Sequence, residues 1–71
     1  MKEYLVQAIL IDNTGRTTIE TVVNSRRTTD YEAALDDLMK LHIHSSSYLY
    51  VAIEIETQEI VFKSKANKYA F

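Results

Sequence analysis

The 71-residue chain contains no cysteine, no proline and a single glycine, Gly15. The absence of cysteine excludes disulfide bridges and thiolate metal sites, which are common supports of very small domains. The absence of proline, together with a lone glycine, gives no sign of a linker, so residues 1–71 are predicted to form one domain. A partner subunit remains as the usual way to stabilise a chain of this length.

Long apolar runs and a dominant sign of charge are also absent. No stretch approaches the roughly 18 apolar residues that cross a membrane. Gln7 and Asp12 interrupt the N-terminal region, so it lacks the layout of a signal peptide. The net charge of −2 neither attracts nucleic acid nor imitates it. We therefore expect a cytoplasmic protein with no membrane segment.

The chain does contain four strand-like runs and one helical run, in the order ββαββ. Predicted strands cover residues 4–11, 17–24 and 48–56, a fourth begins at residue 60, and the predicted helix covers residues 30–42. Gly15 suits a three-residue hairpin loop between the first two strands, which sets Ile11 opposite Thr17 and Val6 opposite Val22. Residues 25–28 are predicted to form a loop. Thr29 and Glu32 form a capping box at the start of the helix. Every neighbouring pair is antiparallel if the spatial order is 2-1-3-4, which places the most apolar strand in the centre. The sequence predicts an α+β fold, a four-stranded antiparallel sheet with one helix packed on one face.

The first predicted strand is apolar on both of its faces. Its even positions carry Tyr4, Val6, Ala8 and Leu10, and its odd positions carry Leu5, Gln7, Ile9 and Ile11. A strand with one face in water alternates apolar and polar residues. Because one helix covers one face of a sheet, the second face needs either another molecule or the C-terminal residues, with Tyr69 or Phe71 as the cover.

The clean alternation of the third strand assigns Val51 and Ile53 to the helix side and leaves Tyr48 and Tyr50 on the open side. If the first strand turns its even residues to the open side, a contiguous apolar and aromatic patch forms there, as at interaction sites. The predicted protein-binding residues are Tyr4, Val6, Leu10, Val22, Tyr48 and Tyr50. The opposite assignment of the first strand stays open, because Gln7 would then face water.

A protein with such a patch is expected to bind other proteins without doing chemistry. We expect a small regulator, inhibitor or adaptor that acts through the open face of its sheet. A homodimer is the most economical form, because an isologous contact uses one patch twice. Docking on a larger protein is the other form, and strand addition along the edge at residues 17–24 is a second docking mode.

Binding of single-stranded nucleic acid is the alternative function. The residues of this alternative site are Tyr48, Tyr50, Lys63 and Lys65. Exposed tyrosines would stack on unpaired bases, while the lysines would contact phosphates. A two-residue turn at residues 57–58 pairs Ile55 with Ile60 and brings Lys65 beside Tyr50. Three glutamates in the same hairpin oppose this function, because they repel a phosphate backbone.

The remaining polar residues form no recognisable chemical site. His42 and His44 would point about 200° apart on a helix, and no third metal ligand is placed by the sequence. Asp36 and Asp37 are adjacent, so they do not face one another as a catalytic pair of carboxylates. The serines at residues 45–47 lack an oxyanion site and an orienting acid. We expect no enzymatic activity, no metal, no cofactor and no small-molecule substrate.

Overall fold

The computed structural model describes residues 1–43 and 47–69, and the elements follow the predicted order. They are β1 (Tyr4–Thr14), β2 (Thr17–Thr28), α1 (Tyr31–Leu41), β3 (Tyr48–Glu54) and β4 (Ile60–Ser64). The strands form one sheet in the order β2-β1-β3-β4, and every neighbouring pair is antiparallel. The predicted fold class and strand order are confirmed. With 11 residues, α1 is too short to cross a membrane.

The hairpin of β1 and β2 is longer than predicted and has a tighter turn. Thr14 pairs with Thr17, so two residues form the turn. Gly15 has φ 62, which suits the first central position of a type II′ turn. Ile11 consequently lies opposite Glu20, and the register predicted from a three-residue loop is wrong. The difference arises because residues 13–14 extend the strand.

A β-bulge and two ion pairs shape β2. The register shifts where Ala8 pairs with Asn24 and Ile9 pairs with Val22, which leaves one extra residue in β2. The strand continues through residues 25–28, where the sequence predicted a loop. This extension has ionic partners, since Arg27 contacts Glu3 and Arg26 contacts Asp37. The two arginines therefore lie on a strand that is anchored at both of its faces.

Helix α1 begins at Tyr31, one residue later than the predicted N-cap at Thr29 implies. Asp30 is the N-cap, and its Oδ1 accepts a hydrogen bond of 3.2 Å from the backbone N–H of Ala33. The predicted cap at Thr29 is wrong. At the other end, the N–H of His42 donates to the carbonyl of Met39 at 3.3 Å. The observed helix is the predicted one less its two capping residues.

The helix packs on the side of the sheet that carries the even residues of β1 and β3. The buried cluster consists of Val6, Ala8, Ala34, Leu35, Leu38, Met39, Tyr50 and Ala52. The assignment of Val51 and Ile53 to the helix side is therefore wrong. The small side chains of Ala8 and Ala52 let the helix approach the sheet, and Tyr50 fills the space beside them with no exposed surface.

The turn between β3 and β4 also differs from its prediction. Ile53 pairs with Ile60, so residues 54–59 are not closed by a two-residue turn. The N–H of Gln58 donates to the Glu54 carbonyl at 2.7 Å, and Gln58 itself has φ 59. The longer turn shifts the register of β4. Lys65 consequently does not pair with Tyr50, whose partner is Ser64.

Candidate interaction face of the sheet

The sheet face opposite α1 is apolar, and we call it the open face. Its apolar members are Leu5, Ile9, Ile11, Val22, Leu49, Val51, Ile53 and Ile60. Directly paired residues of neighbouring strands share a face. Ile9 lies between Val22 and Leu49, and Ile53 lies between Leu5 and Ile60. The apolar surface therefore continues across all four strands.

Exposure on the open face rises from its centre to its flanks. Leu49 and Val51, on the inner strand β3, are 8% and 4% exposed. Val22 and Ile60, on the two edge strands, are 50% and 57% exposed. Contiguous apolar surface of this kind is uncommon on a monomer and marks interaction sites.

Residues 67–69 pack on the helix side, and they do not cover the open face. The Asn67 side-chain amide donates to the carbonyl of Met39 at 2.7 Å and to the hydroxyl of Tyr50 at 3.0 Å. The hydroxyl of Tyr69 donates to Asp36 of α1. Tyr69 therefore does not cover the open face. Phe71, the other residue considered for that role, lies outside the described residues.

Polar groups on the open face lie at its centre and around its rim. Gln7 is central and half-buried, and it pairs with Ser25 on one side and Val51 on the other. Lys63 lies opposite Val51 on the edge strand β4. Arg27, opposite Leu5, makes an ion pair with Glu3. The charged groups thus surround an apolar centre that has one neutral polar side chain.

The two sheet edges are protected against further strand pairing. The bulge in β2 interrupts its ladder, and two charged residues, Arg26 and Arg27, occupy its far end. β4 has five residues and carries Lys63. Bulges, short strands and charged side chains are the usual protection of an exposed edge. The faces of this sheet, more than its edges, are where a partner would dock.

Five of the six predicted protein-binding residues lie on the helix side. Val6 and Tyr50 are completely buried there. The ring of Tyr4 lies 4.8 Å from that of Tyr31, and the ring of Tyr48 lies 4.2 Å from that of His42. The fifth, Leu10, pairs with Tyr48 on the same face and is half-buried. Placing these five on an open face was wrong, because the even residues of β1 and β3 face the helix, where tyrosine rings and hydroxyls find partners in and around the core.

Val22 is the sixth predicted residue, and it does lie on the open face. It is opposite Ile9, whereas the sequence had paired it with Val6 through the wrong hairpin register. The alternative that the sequence left open, with the odd residues of β1 on the open face, is confirmed. Gln7 carried the signal for this alternative, since it is polar and occupies the odd side of β1.

The predicted nucleic-acid site is not assembled. Tyr50 is buried, and Lys63 pairs with Val51 on the opposite face of the sheet. Tyr48 and Lys65 do line a common cleft of about 180 Å³, but the ring of Tyr48 already packs against the ring of His42. The described residues therefore do not bring two exposed tyrosine rings together with two lysines, as the predicted nucleic-acid site requires.

Two half-buried or buried carboxylates, Asp36 and Glu54, have structural partners. Asp36 is held by Lys68, the Tyr69 hydroxyl and Lys40, and these contacts keep its pKa well below the ordinary 3.8. The Thr57 hydroxyl and Lys2 likewise lower the pKa of Glu54 below 4.5. Neither carboxylate is suited to accept a proton near neutral pH.

The remaining candidates for chemistry are weak. Residues 1–43 and 47–69 contain no group of three or more metal-ligating side chains that could hold an ion. His42 contacts Asn24 at 2.9 Å, while His44 and the serines at 45–46 lie outside the described residues. A shallow groove of about 300 Å³ lies between α1 and β4, lined mainly by Tyr31, Leu35, Met39 and Phe62. It holds no arrangement of a nucleophile and a base.

The fold and the open face define a small α+β protein with an exposed apolar sheet surface. No protein-family model, curated protein or solved structure matches this chain.

Proposed function

We propose that this chain is a small, non-enzymatic protein-binding module of the cytoplasm, and that its binding surface is the open face. It acts as a regulator, inhibitor or adaptor by occupying the surface of another protein. The observation that supports the proposal most strongly is the continuous apolar surface across four strands, opposite a helix and a C-terminal segment that both pack on the other side.

The energetic argument starts from the half-buried members of the open face. Leu5, Ile9, Ile11 and Ile53 each retain apolar surface in water. Removing such surface from water contributes roughly 25 cal/mol per Å², so docking gains free energy with each residue that a partner covers. The charged rim of Glu3, Arg27 and Lys63 stays hydrated around this apolar centre, an arrangement typical of protein interfaces.

Two residues of β2 offer a matched test. Val22 lies on the open face and is 50% exposed, and Ile19 lies opposite Asp12 on the other face and is 47% exposed. Both are β-branched, and both lie on the same edge strand. Val22→Glu places a charge on the proposed surface, and Ile19→Glu places the same charge elsewhere with a similar effect on strand formation.

The experiment is affinity capture from an extract of cells that express the chain. Proteins retained by the native chain should be retained by the Ile19→Glu variant and lost with the Val22→Glu variant. Circular dichroism of each variant establishes that it is folded. Equal retention by the two variants would assign the binding to another surface and would overturn the proposal.

A further inference from the structure

We infer that the protein on the open face is a second copy of this chain, docked face to face about a two-fold axis that passes beside Gln7. This inference rests on the proposed function and names its partner. It follows from the area of the face, from its central glutamine and from the position of its charges.

The area of the open face is sufficient for a stable dimer. Its four strands have 11, 12, 7 and 5 residues. Each residue covers about 16 Å² of sheet, given a rise of about 3.3 Å and a strand spacing of about 4.8 Å. The flat footprint of the whole face is about 550 Å² per copy, so two copies that overlapped fully would bury about 1,100 Å², close to the ~1,000 Å² expected of a biological interface.

Gln7 favours a symmetric contact over one with a wholly apolar partner. It pairs with Val51, the middle residue of β3, and so lies at the centre of the four-stranded region. Its side-chain amide makes no hydrogen bond to the residues that the structure describes. An amide has both a donor and an acceptor, so two Gln7 side chains that meet across a two-fold axis satisfy each other. A wholly apolar partner would leave this amide desolvated and unpaired.

The charges define the direction of the axis. Lys63 is level with Gln7 on the β4 side of the face. An axis across the strands would bring the Lys63 of each copy together. An axis along the strands places them on opposite sides of the dimer, and it stacks the two sheets with their strands aligned. We therefore infer an aligned sandwich of two sheets with the helices on its outer surfaces.

The cysteine-free chain permits a direct test by single-cysteine cross-linking. The native chain should sediment as a dimer at micromolar concentration. The Gln7→Cys variant should form an interchain disulfide under mild oxidation about tenfold faster than Ile19→Cys, whose cysteine would lie on the other face. The Val22→Glu variant should sediment as a monomer, and the Ile19→Glu variant should remain a dimer.

The outcomes separate this inference from the proposed function. A native chain that stays monomeric would overturn the second copy as partner, and the proposed function would still stand if Val22→Glu abolished capture of another protein. A dimer in which Ile19→Cys cross-links as fast as Gln7→Cys would overturn the axis beside Gln7. A dimer that is unaffected by Val22→Glu would contradict both the inference and the surface on which it rests.

Discussion

On one side of the sheet, α1 and residues 67–69 enclose the apolar side chains, whereas on the other side no element of the described residues packs over a comparable set. The helix side contains Ala8, Ala52 and Tyr50, all without exposed surface. The open face contains aliphatic side chains that are only half-buried at Leu5, Ile9 and Ile53. The difference shows that apolar character does not decide which face becomes the core of the monomer. Close approach of the helix and partners for the buried hydroxyls decide it.

The largest expected effect contrasts a core residue with an open-face residue. Leu38 is 1% exposed, so Leu38→Ala should lower the free energy of unfolding by about 3 kcal/mol, through lost burial and a cavity. Val22 is half-exposed, and Val22→Ala should cost the dilute monomer less than about 1 kcal/mol. Urea denaturation at low protein concentration measures both. Equal losses would remove the distinction between the two faces.

The second prediction concerns the C-terminal cover of the helix side. The Asn67 amide donates to the Met39 carbonyl at the end of α1 and to the Tyr50 hydroxyl, and its nitrogen lies 3.4 Å from the His42 carbonyl oxygen. Asn67→Ala should cost about 1–2 kcal/mol, since buried acceptors lose their donor. Tyr50→Phe removes one of these contacts and should cost less, about 1 kcal/mol. A larger loss for Tyr50→Phe, again from urea denaturation, would contradict this assignment of roles.

The third prediction concerns a control substitution in the hairpin turn, which should affect the two faces of the sheet equally. Gly15 has φ 62, and an added Cβ would meet no atom within 4 Å, so Gly15→Ala introduces backbone strain without a clash. We expect a loss of about 1 kcal/mol in the free energy of unfolding. Association through the open face should not change. A variant that loses association while it stays folded would show that the hairpin turn, and not the face alone, supports binding.

The smallest expected effect is on stability in acid. The folded-state pKa values of Glu54 and Asp36 lie below the ordinary 4.5 and 3.8, so the unfolded chain binds more protons in acid. The stabilisation is present above these ordinary values, declines as the pH falls below them, and is lost once the pH has fallen through the lower folded-state pKa values. The effect is small because the paired lysines are 58–69% exposed.

The measurement for this fourth prediction is the melting temperature between neutral pH and acid. The native chain should lose stability as the pH falls, and Glu54→Gln with Asp36→Asn should flatten the curve. The ion pairs of Asp36 and Glu54 lie on the helix side of the sheet and at its flank. A native curve that rises in acid would contradict the inferred direction of both pKa shifts.

The sequence was sufficient for the topology because each element has a local pattern. The 3.6-residue period of α1 and the alternation of β3 do not depend on distant contacts. The strand order followed from pairing rules. The apolar side chains on both faces of β1 also predict cover for two faces, and for the open face this stays a prediction.

The site was not predictable from the same patterns, because it depends on register. The first hairpin loop has two residues and not three, so Val22 pairs with Ile9 and not with Val6. The turn between β3 and β4 is longer than predicted, so Lys65 does not pair with Tyr50. Burial of Tyr50 depends on Asn67, which is 17 residues away in the chain. Such a long-range contact leaves no periodic pattern in the sequence, so the local pattern alone places the tyrosines at the surface.

The central claim is that the open face is covered by another molecule, which in a purified sample is a second copy. The most direct measurement is the melting temperature of the native chain over a hundred-fold range of protein concentration. Association of folded chains raises this temperature as concentration increases. We expect such a rise for the native chain and for Ile19→Glu, and none for Val22→Glu. A melting temperature that does not depend on concentration in any of the three proteins would contradict the account.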